Sequence, residues 1–265
     1  MKIGIVGAAG RMGRMLIGAV LAAEGAELAG GVEKSSHQDQ GRDLGELAGF
    51  EPCGVKLSSD TRALFEAADV IIDFTAPAAT ALHAALAADT GARLVVGTTG
   101  LDVAQQQTIA HAAQKTALVQ AANYSVGVNV LLGLVEQMAR ILPESYDIEI
   151  LEMHHHHKVD APSGTALALG HAAAAGRGVK LDDVADKVRD GITGARRLGD
   201  IGFATLRGGD VVGDHTVMFA GAGERVEISH KASSREIFAS GAVRAALWVG
   251  GQKPGLYSMK DVLGL

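Results

Sequence analysis

Cysteine is almost absent from this chain: among 265 residues there is one, Cys53. That excludes an internal disulfide and any cysteine-rich metal site, and makes a reducing compartment, the cytoplasm, the expected location. Aromatic residues are equally scarce, with 6 Phe, 3 Tyr and 1 Trp, too few for the stacking platforms that hold single-stranded nucleic acid. Positive charge is not in excess either. The net charge of −6 argues against nonspecific nucleic-acid binding through a basic face, so an anionic ligand needs a local positive pocket. No apolar run approaches the ~18 residues of a membrane span, so no membrane partner is expected. The opening MKIGIVGAAG reads as strand and turn, not as a signal peptide. Internal repeats and low-complexity tails are missing too.

What is present suits a globular protein with a core: 48% hydrophobic and 20% charged residues. Glycine, at 35 residues, stands close to twice its usual ~7%. A glycine-rich, aromatic-poor composition fits tight turns and helices packed closely on a sheet, as in α/β folds.

Hydrophobic patterning alternates strand and helix through the first half. Strands are predicted at Lys2–Val6, Glu27–Glu33, Val55–Leu57, Val70–Phe74, Leu94–Val96 and Leu118–Gln120. Helices are predicted at Arg11–Ala23 and Thr61–Ala68, from Pro77, and from Asp102 to Lys115, while Lys34–Leu44 reads as loop. A β-α repeat over roughly 120 residues makes a doubly wound parallel sheet. The texture then changes. A long apolar helix is expected at Val128–Leu142, stopped by Pro143, followed by a strand through Ile148–Leu151 and a helix from near Ser163. Val179–Asp200 is charged and irregular. Three strand-like stretches with hairpin-like spacing follow at Ile201–Leu206, Val211–Phe219 and Arg225–Ser229, and a final helix is expected behind a Ser233/Glu236 capping box. The implied architecture is an N-terminal Rossmann-type domain plus a central α+β domain with a mixed or antiparallel sheet.

Gly7-Ala8-Ala9-Gly10-Arg11-Met12-Gly13 joins the first strand to the first helix with the spacing G-x-x-G-x-x-G, a variant of the dinucleotide fingerprint. The chemistry needs a sharp turn, backbone close to a pyrophosphate, and helix N–H groups facing the anion. Glycine-rich turns alone are weak signals, but Glu33 closes the next strand at the distance where a carboxylate holds the adenosine ribose. Glu33 favours NADH, whereas Lys34 or Arg11 offers a cation for the 2′-phosphate of NADPH; Lys34 also suits a solvated loop, so both cofactors stay open. Gly97-Thr98-Thr99 ends a later strand on the same sheet edge and suits the nicotinamide end of the cofactor, although a capped turn explains it equally well. Ala121-Ala122-Asn123-Tyr124 ends another strand and carries the same two readings.

The densest chemistry is Glu152-Met153-His154-His155-His156-His157-Lys158-Val159-Asp160-Ala161-Pro162-Ser163-Gly164-Thr165. Consecutive histidines in extended backbone point to opposite faces and do not converge on one ion, so no metal site is expected. The alternative is an acid–base site beside an anion trap. Histidine titrates near neutrality, lysine donates a proton or holds a carboxylate, and the Pro162–Thr165 helix start favours anions. Spacing alone does not choose the working histidine.

With these residues in view, the chain resembles the 4-hydroxy-tetrahydrodipicolinate (dihydrodipicolinate) reductase family over essentially its whole length. The matching elements are GAAGRMGR at 7–14, Gly97-Thr98-Thr99-Gly100, the stretch from Ala121 to Asn129, Glu152–Thr165 with its E-x-H-H-x-x-K-x-D-x-P-S-G-T pattern, and His230-Lys231-Ala232-Ser233-Ser234-Arg235, all in family order. The resemblance implies an NAD(P)H-dependent cytoplasmic oxidoreductase of diaminopimelate and lysine biosynthesis, assembled as a homotetramer and acting on a small-molecule dicarboxylate. It implies that Gly7–Met12 bind the nucleotide phosphates and Glu33 the ribose, with Gly97–Thr99 and Ala121–Tyr124 at the nicotinamide. His154 is implied as the acid–base residue, Lys158 as the proton donor, and His155, Gly164 and Thr165 as the substrate-carboxylate ligands. The implied domains are 1–125 with 235–265 for the dinucleotide, and 126–234 for substrate and oligomer contacts. Two positions depart from the pattern: Lys34 and Ala76 stand where arginine is common, which weakens the grip on a 2′-phosphate. A metal-dependent hydrolase using the histidine run, or a nucleotide-sensing assembly module, are the rival classes; neither accounts for the Gly7 turn and the His154–Thr165 segment together.

Overall fold

Strand and helix alternate as the hydrophobic pattern dictates in the computed structural model, which describes residues Met1–Leu265. One unit, Met1–Val126 with Glu236–Gly264, begins β1 (Lys2–Val6), α1 (Arg11–Ala22), β2 (Glu27–Val32), α2 (Leu44–Ala48), β3 (Leu57–Ser58), α3 (Thr61–Ala67), β4 (Val70–Asp73), α4 (Pro77–Thr90), β5 (Arg93–Val96), α5 (Val103–Ala112) and β6 (Ala117–Gln120). The chain continues with α6 (Val126–Ile141), β7 (Asp147–His154), α7 (Gly164–Arg177), α8 (Leu181–Val184), β8 (Ala185–Asp186), β9 (Ile201–Arg207), β10 (Gly213–Gly221) and β11 (Glu224–Ala232). It then returns to the first unit with α9 (Glu236–Val249), β12 (Gly255–Tyr257) and α10 (Met259–Leu263).

The first unit holds a parallel seven-stranded sheet ordered β12-β6-β5-β4-β1-β2-β3. Its inner strands are apolar because helices cover both faces. Ile3, Ile5, Val70, Ile72, Val95 and Val119 pack with α1, α2, α9 and α10. Ile71, Leu94, Val96 and Leu118, one residue out of phase, pack with α3, α4 and α5. Local signals set the helix starts: Pro77 occupies the first turn of α4, and Asp102 with Gln105 forms a reciprocal capping box on α5.

The second unit, Gly127–Arg235 with Leu265, holds a five-stranded mixed sheet ordered β11-β10-β7-β9-β8. α6 and α7 bury Leu131, Val135, Ala139, Leu169 and Ala173 against Ile148, Ile150, Ile201, Val217 and Phe219 on one sheet face.

Several local expectations are corrected or extended. α2 lies just past the predicted loop, and α8 and β8 lie inside the stretch read as irregular; with five, four and two residues they carry no periodicity. Of the three hairpin-like strands only β10 and β11 form a hairpin, because β9 crosses over to pair in parallel with β7. The helix α9 begins at Glu236 itself, two residues later than a Ser233/Glu236 box requires. It is also not final, since β12 adds a seventh strand beside β6.

Candidate active site

In a parallel sheet every strand ends on the same edge. The expected cofactor segments Gly7–Met12, Glu33 with Lys34, Gly97–Thr99 and Ala121–Tyr124 therefore follow the carboxyl ends of β1, β2, β5 and β6. β1 lies between β2 and β4, the switch in strand order where open α/β sheets leave a crevice. The first turn is built for backbone exposure. Gly7 has φ +68°, and the Gly10 N–H donates to the Gly7 carbonyl at 3.1 Å. A Cβ on Gly13 would stand 2.2 Å from the Gly7 carbonyl oxygen and 2.5 Å from that of Ala8. Gly10 caps α1 without any side-chain hydrogen bond, an arrangement that suits a pyrophosphate cradle. Gly10 and Arg11 are exposed, Met12 is half-buried, and Ala8 and Ala9 pack inward.

The other expected residues divide by side chain. Glu33 is half-buried, its carboxylate accepting the Lys34 N–H at 3.1 Å, while Lys34 is exposed. Gln40 donates to the carbonyls of Glu33 and Lys34 at 3.1 and 3.0 Å, pinning the loop after β2. Thr98 is turned inward: its hydroxyl accepts from Thr75 N–H at 3.0 Å and from Thr80 at 2.8 Å. Tyr124 is turned inward as well, its hydroxyl bonded to the Val96 and Val119 carbonyls, and burial pushes its phenol well above the ordinary range. The side chains of Thr98 and Tyr124 are thus engaged inside the fold, whereas Thr99 and Ala122 are exposed.

Beneath this edge lies a residue the motifs passed over. Asp73, fully buried at the end of β4, accepts from the Thr75 N–H and hydroxyl at 2.9 and 2.6 Å and pairs with His83 Nδ1 at 2.8 Å. Its signal was one acid inside an otherwise apolar strand.

In the second unit the alternation of β7 places Ile148, Ile150, Glu152 and His154 on the face toward α6 and α7. The buried face thus changes from aliphatic to ionisable at the strand's end. Glu152 is 1% exposed. Its Oε2 lies 2.6 Å from His154 Nδ1 and accepts from Arg207 at 2.8 Å. Its Oε1 accepts from the Ser163 N–H at 3.0 Å and from Arg207 at 2.9 Å. Burial would raise this carboxyl, but Arg207, His154 and the Ser163 N–H outweigh it and hold it below the usual range.

Ser163 caps α7, its hydroxyl accepting from Ala166 N–H and meeting His215 Nε2 at 3.1 Å, so Gly164 and Thr165 occupy the first turn, the positive end of the helix. His215, opposite Glu152 on β10, sits edge-on to His154 with ring centroids 5.1 Å apart. Burial pushes its pKa down to about 4, so it is neutral near pH 7. Lys158 pairs with Asp160 at 2.8 Å, and the Asp160 carbonyl accepts from Arg207 at 2.7 Å. His155 Nε2 faces Arg235 at 3.3 Å, and burial with that neighbouring cation lowers its pKa. His156 Nδ1 meets the Gly209 carbonyl at 3.0 Å, and His156 and His157 are exposed. No group of three or more His, Cys, Asp or Glu side chains is arranged to hold a metal ion. His154, Ser163 and the Lys158–Asp160 loop are thus tied together through Glu152 and Arg207, which sequence reasoning left without roles.

Comparison with known proteins follows the same division. A family model described as dihydrodipicolinate reductase, N-terminus, matches residues 1–124, and one described as dihydrodipicolinate reductase, C-terminus, matches residues 127–263. The 4-hydroxy-tetrahydrodipicolinate reductase of Rhodopseudomonas palustris (strain BisB18) is 55% identical over 265 residues, covering 100% of this chain and 98% of the relative. That of Parvibaculum lavamentivorans is 56% identical with the same coverage. A solved structure, the dipicolinate-bound dihydrodipicolinate reductase from Paenisporosarcina sp. TG-14, is similar with a TM-score of 0.79 at 25% identity, covering 98% of each chain.

Proposed function

The chain belongs to the dihydrodipicolinate reductase family, and from that premise we propose that its first unit binds NADH or NADPH and its second holds the dicarboxylate substrate. The activity is reduction of 4-hydroxy-tetrahydrodipicolinate, an oxidoreductase step of diaminopimelate and lysine biosynthesis. The observation that carries the reading of the second unit as the acid–base and carboxylate site is Glu152, whose one carboxylate joins an imidazole to the N-terminus of α7.

Gly7–Met12 cradle the pyrophosphate, Glu33 takes the ribose, and Gly97–Thr99 with Ala121–Tyr124 line the nicotinamide end. When bound, the reduced nicotinamide supplies a hydride. His155, Gly164 and Thr165 hold substrate carboxylate at the positive end of α7; a dicarboxylate ligand agrees with the dipicolinate bound in the similar Paenisporosarcina reductase. Once the substrate's hydroxyl has left as water, the conjugated imine accepts hydride; the charge that then develops toward the ring nitrogen is met by Lys158, which delivers the proton that completes the product, and by His154, which serves as acid–base residue.

The direct test is an assay with freshly made 4-hydroxy-tetrahydrodipicolinate, following NADH and NADPH oxidation in parallel. Oxidation of at least one that depends on substrate is the expected result, and none with either overturns the reading. In the same assay Glu33→Ala is expected to raise KM for NADH about tenfold, the worth of one charge-assisted hydrogen bond, with a smaller change for NADPH. Equal effects on both would remove Glu33 from ribose recognition.

We propose that the homotetramer expected from the resemblance is built through the sheet of the second unit. The face opposite α6 and α7 carries Leu151, Met153, Leu206 and Met218, with Leu206 48% exposed, and β11 leaves one edge of the sheet without a partner strand. A second copy of this chain offers the same apolar patch and the same edge, as a closed symmetric assembly requires. Leu206→Glu is expected to shift the protein toward smaller species in sedimentation velocity; an unchanged distribution would place the contact elsewhere.

A further inference from the structure

We propose that Glu152 is the positioning residue of this site: its carboxylate holds His154 as the Nδ1-protonated tautomer, with Nε2 as the working nitrogen, and ties that ring to the first turn of α7. The proposal rests on the reading of His154 as the acid–base residue and deepens it.

Every group that meets this carboxylate besides the imidazole is a donor: Arg207 Nη1 and Nη2, the Ser163 N–H and, at 3.4 Å, the Thr205 hydroxyl. A carboxyl surrounded in this way is ionised, and an ionised carboxylate only accepts. His154 Nδ1, 2.6 Å away, must therefore carry the hydrogen. In the neutral ring Nε2 is then the bare acceptor, and in the imidazolium it carries the exchangeable proton. The position of Nε2 is bounded from one side, because a Cβ on Gly213 would stand 3.0 Å from it. The edge of neutral His215 fixes the ring from another side without adding like charge.

Burial of an ion pair is weak support for stability, since desolvation offsets much of the attraction. Here the remaining carboxylate lone pairs go to the imidazole and to the cap of α7. Glu152 thus sets the ring's tautomer and its placement beside Gly164 and Thr165 with one group.

The test is histidine 15N labelling with long-range 1H–15N correlation on the alkaline limb of the activity profile, combined with steady-state kinetics. In the wild-type protein His154 is expected to show the Nδ1–H pattern. In Glu152→Gln the amide can donate to Nδ1, so the pattern is expected to change to Nε2–H. With it kcat should fall about 100-fold or more, as when a catalytic imidazole is held in the wrong tautomer, while KM for substrate and NADH stays within about threefold. An Nε2–H pattern in the wild-type protein overturns the proposal, and this reading needs no variant to fold. Glu152→Gln turnover within threefold of wild type overturns it as well, provided His154→Ala is impaired. Full activity in His154→Ala would instead remove the acid–base reading beneath it.

Discussion

His154→Ala and Lys158→Ala are each expected to lower kcat by about 10²- to 10⁴-fold, the range a positioned acid or base supplies. The loss should be chemical. Removing the His154 ring leaves Glu152 bound to Arg207 and to the Ser163 N–H, so no buried charge is stranded, and the cost to stability should be the ~1–3 kcal/mol typical of a truncation. Lys158 pairs with a carboxylate whose side chain is 56% exposed, and pairs that open to solvent contribute ~0–1 kcal/mol. Both variants should fold. Their affinity for NADH, followed by fluorescence titration, should remain close to that of the wild type, because the dinucleotide fingerprint lies in the first unit. Turnover within about twofold of wild type in either variant would take that residue out of the proton-transfer step.

A double variant separates the two roles. If His154 and Lys158 act on the same proton, losing both should cost little more than the larger single loss, since groups working as a unit are not additive. If His154 chiefly supplies positive potential while Lys158 transfers the proton, the losses should multiply. The measurement is the coupling in kcat, with KM for the dicarboxylate as the check on binding.

The candidate cofactor segments at the sheet edge were legible as a group because their signals are local. A glycine turn, an acid at the end of the next strand and strand-ending Gly-Thr pairs each reveal themselves within a few residues, and a parallel sheet gathers them on one edge whatever the helices between them do. The Glu152 network was not legible in that way. Arg207 and His215 lie 55 and 63 residues beyond Glu152 and meet it only because β9 crosses to pair with β7 while β10 flanks it on the other side. Hairpin spacing alone suggested that β9 would pair with β10, which would have moved Arg207 away. A faint trace existed: Glu152 and His154 continue the period-two face of Ile148 and Ile150, and His215 that of Val217 and Phe219. Ionisable groups on a face otherwise given to the core need partners there. Asp73 in β4 left the same trace.

Gly13→Ala and Gly10→Ala are expected to fail differently, and the difference tests what the first turn is for. At Gly13 the added methyl would stand 2.2 Å from the Gly7 carbonyl oxygen and 2.6 Å from the Ala8 carbonyl carbon. These are backbone atoms that cannot swing aside, so α1 must move off β1 and the fold weakens. A loss above about 4 kcal/mol is expected, placing it among the rare severe substitutions, with Tm lower by roughly 10 °C. At Gly10 the methyl would meet only the Gly7 carbonyl oxygen, at 3.2 Å, a contact that a few tenths of an ångström relieve. Gly10 is exposed and has φ −70°, which any residue adopts, so Tm should change little. The methyl would nonetheless occupy the N-terminal end of α1, where a pyrophosphate needs to approach backbone N–H groups. NADH affinity is therefore expected to fall about 100-fold, or ~2.7 kcal/mol, in a folded protein. A Gly10→Ala protein that binds NADH as tightly as wild type would mean that the glycines serve only the packing of α1 on β1, and the cofactor would have to be sought away from this turn.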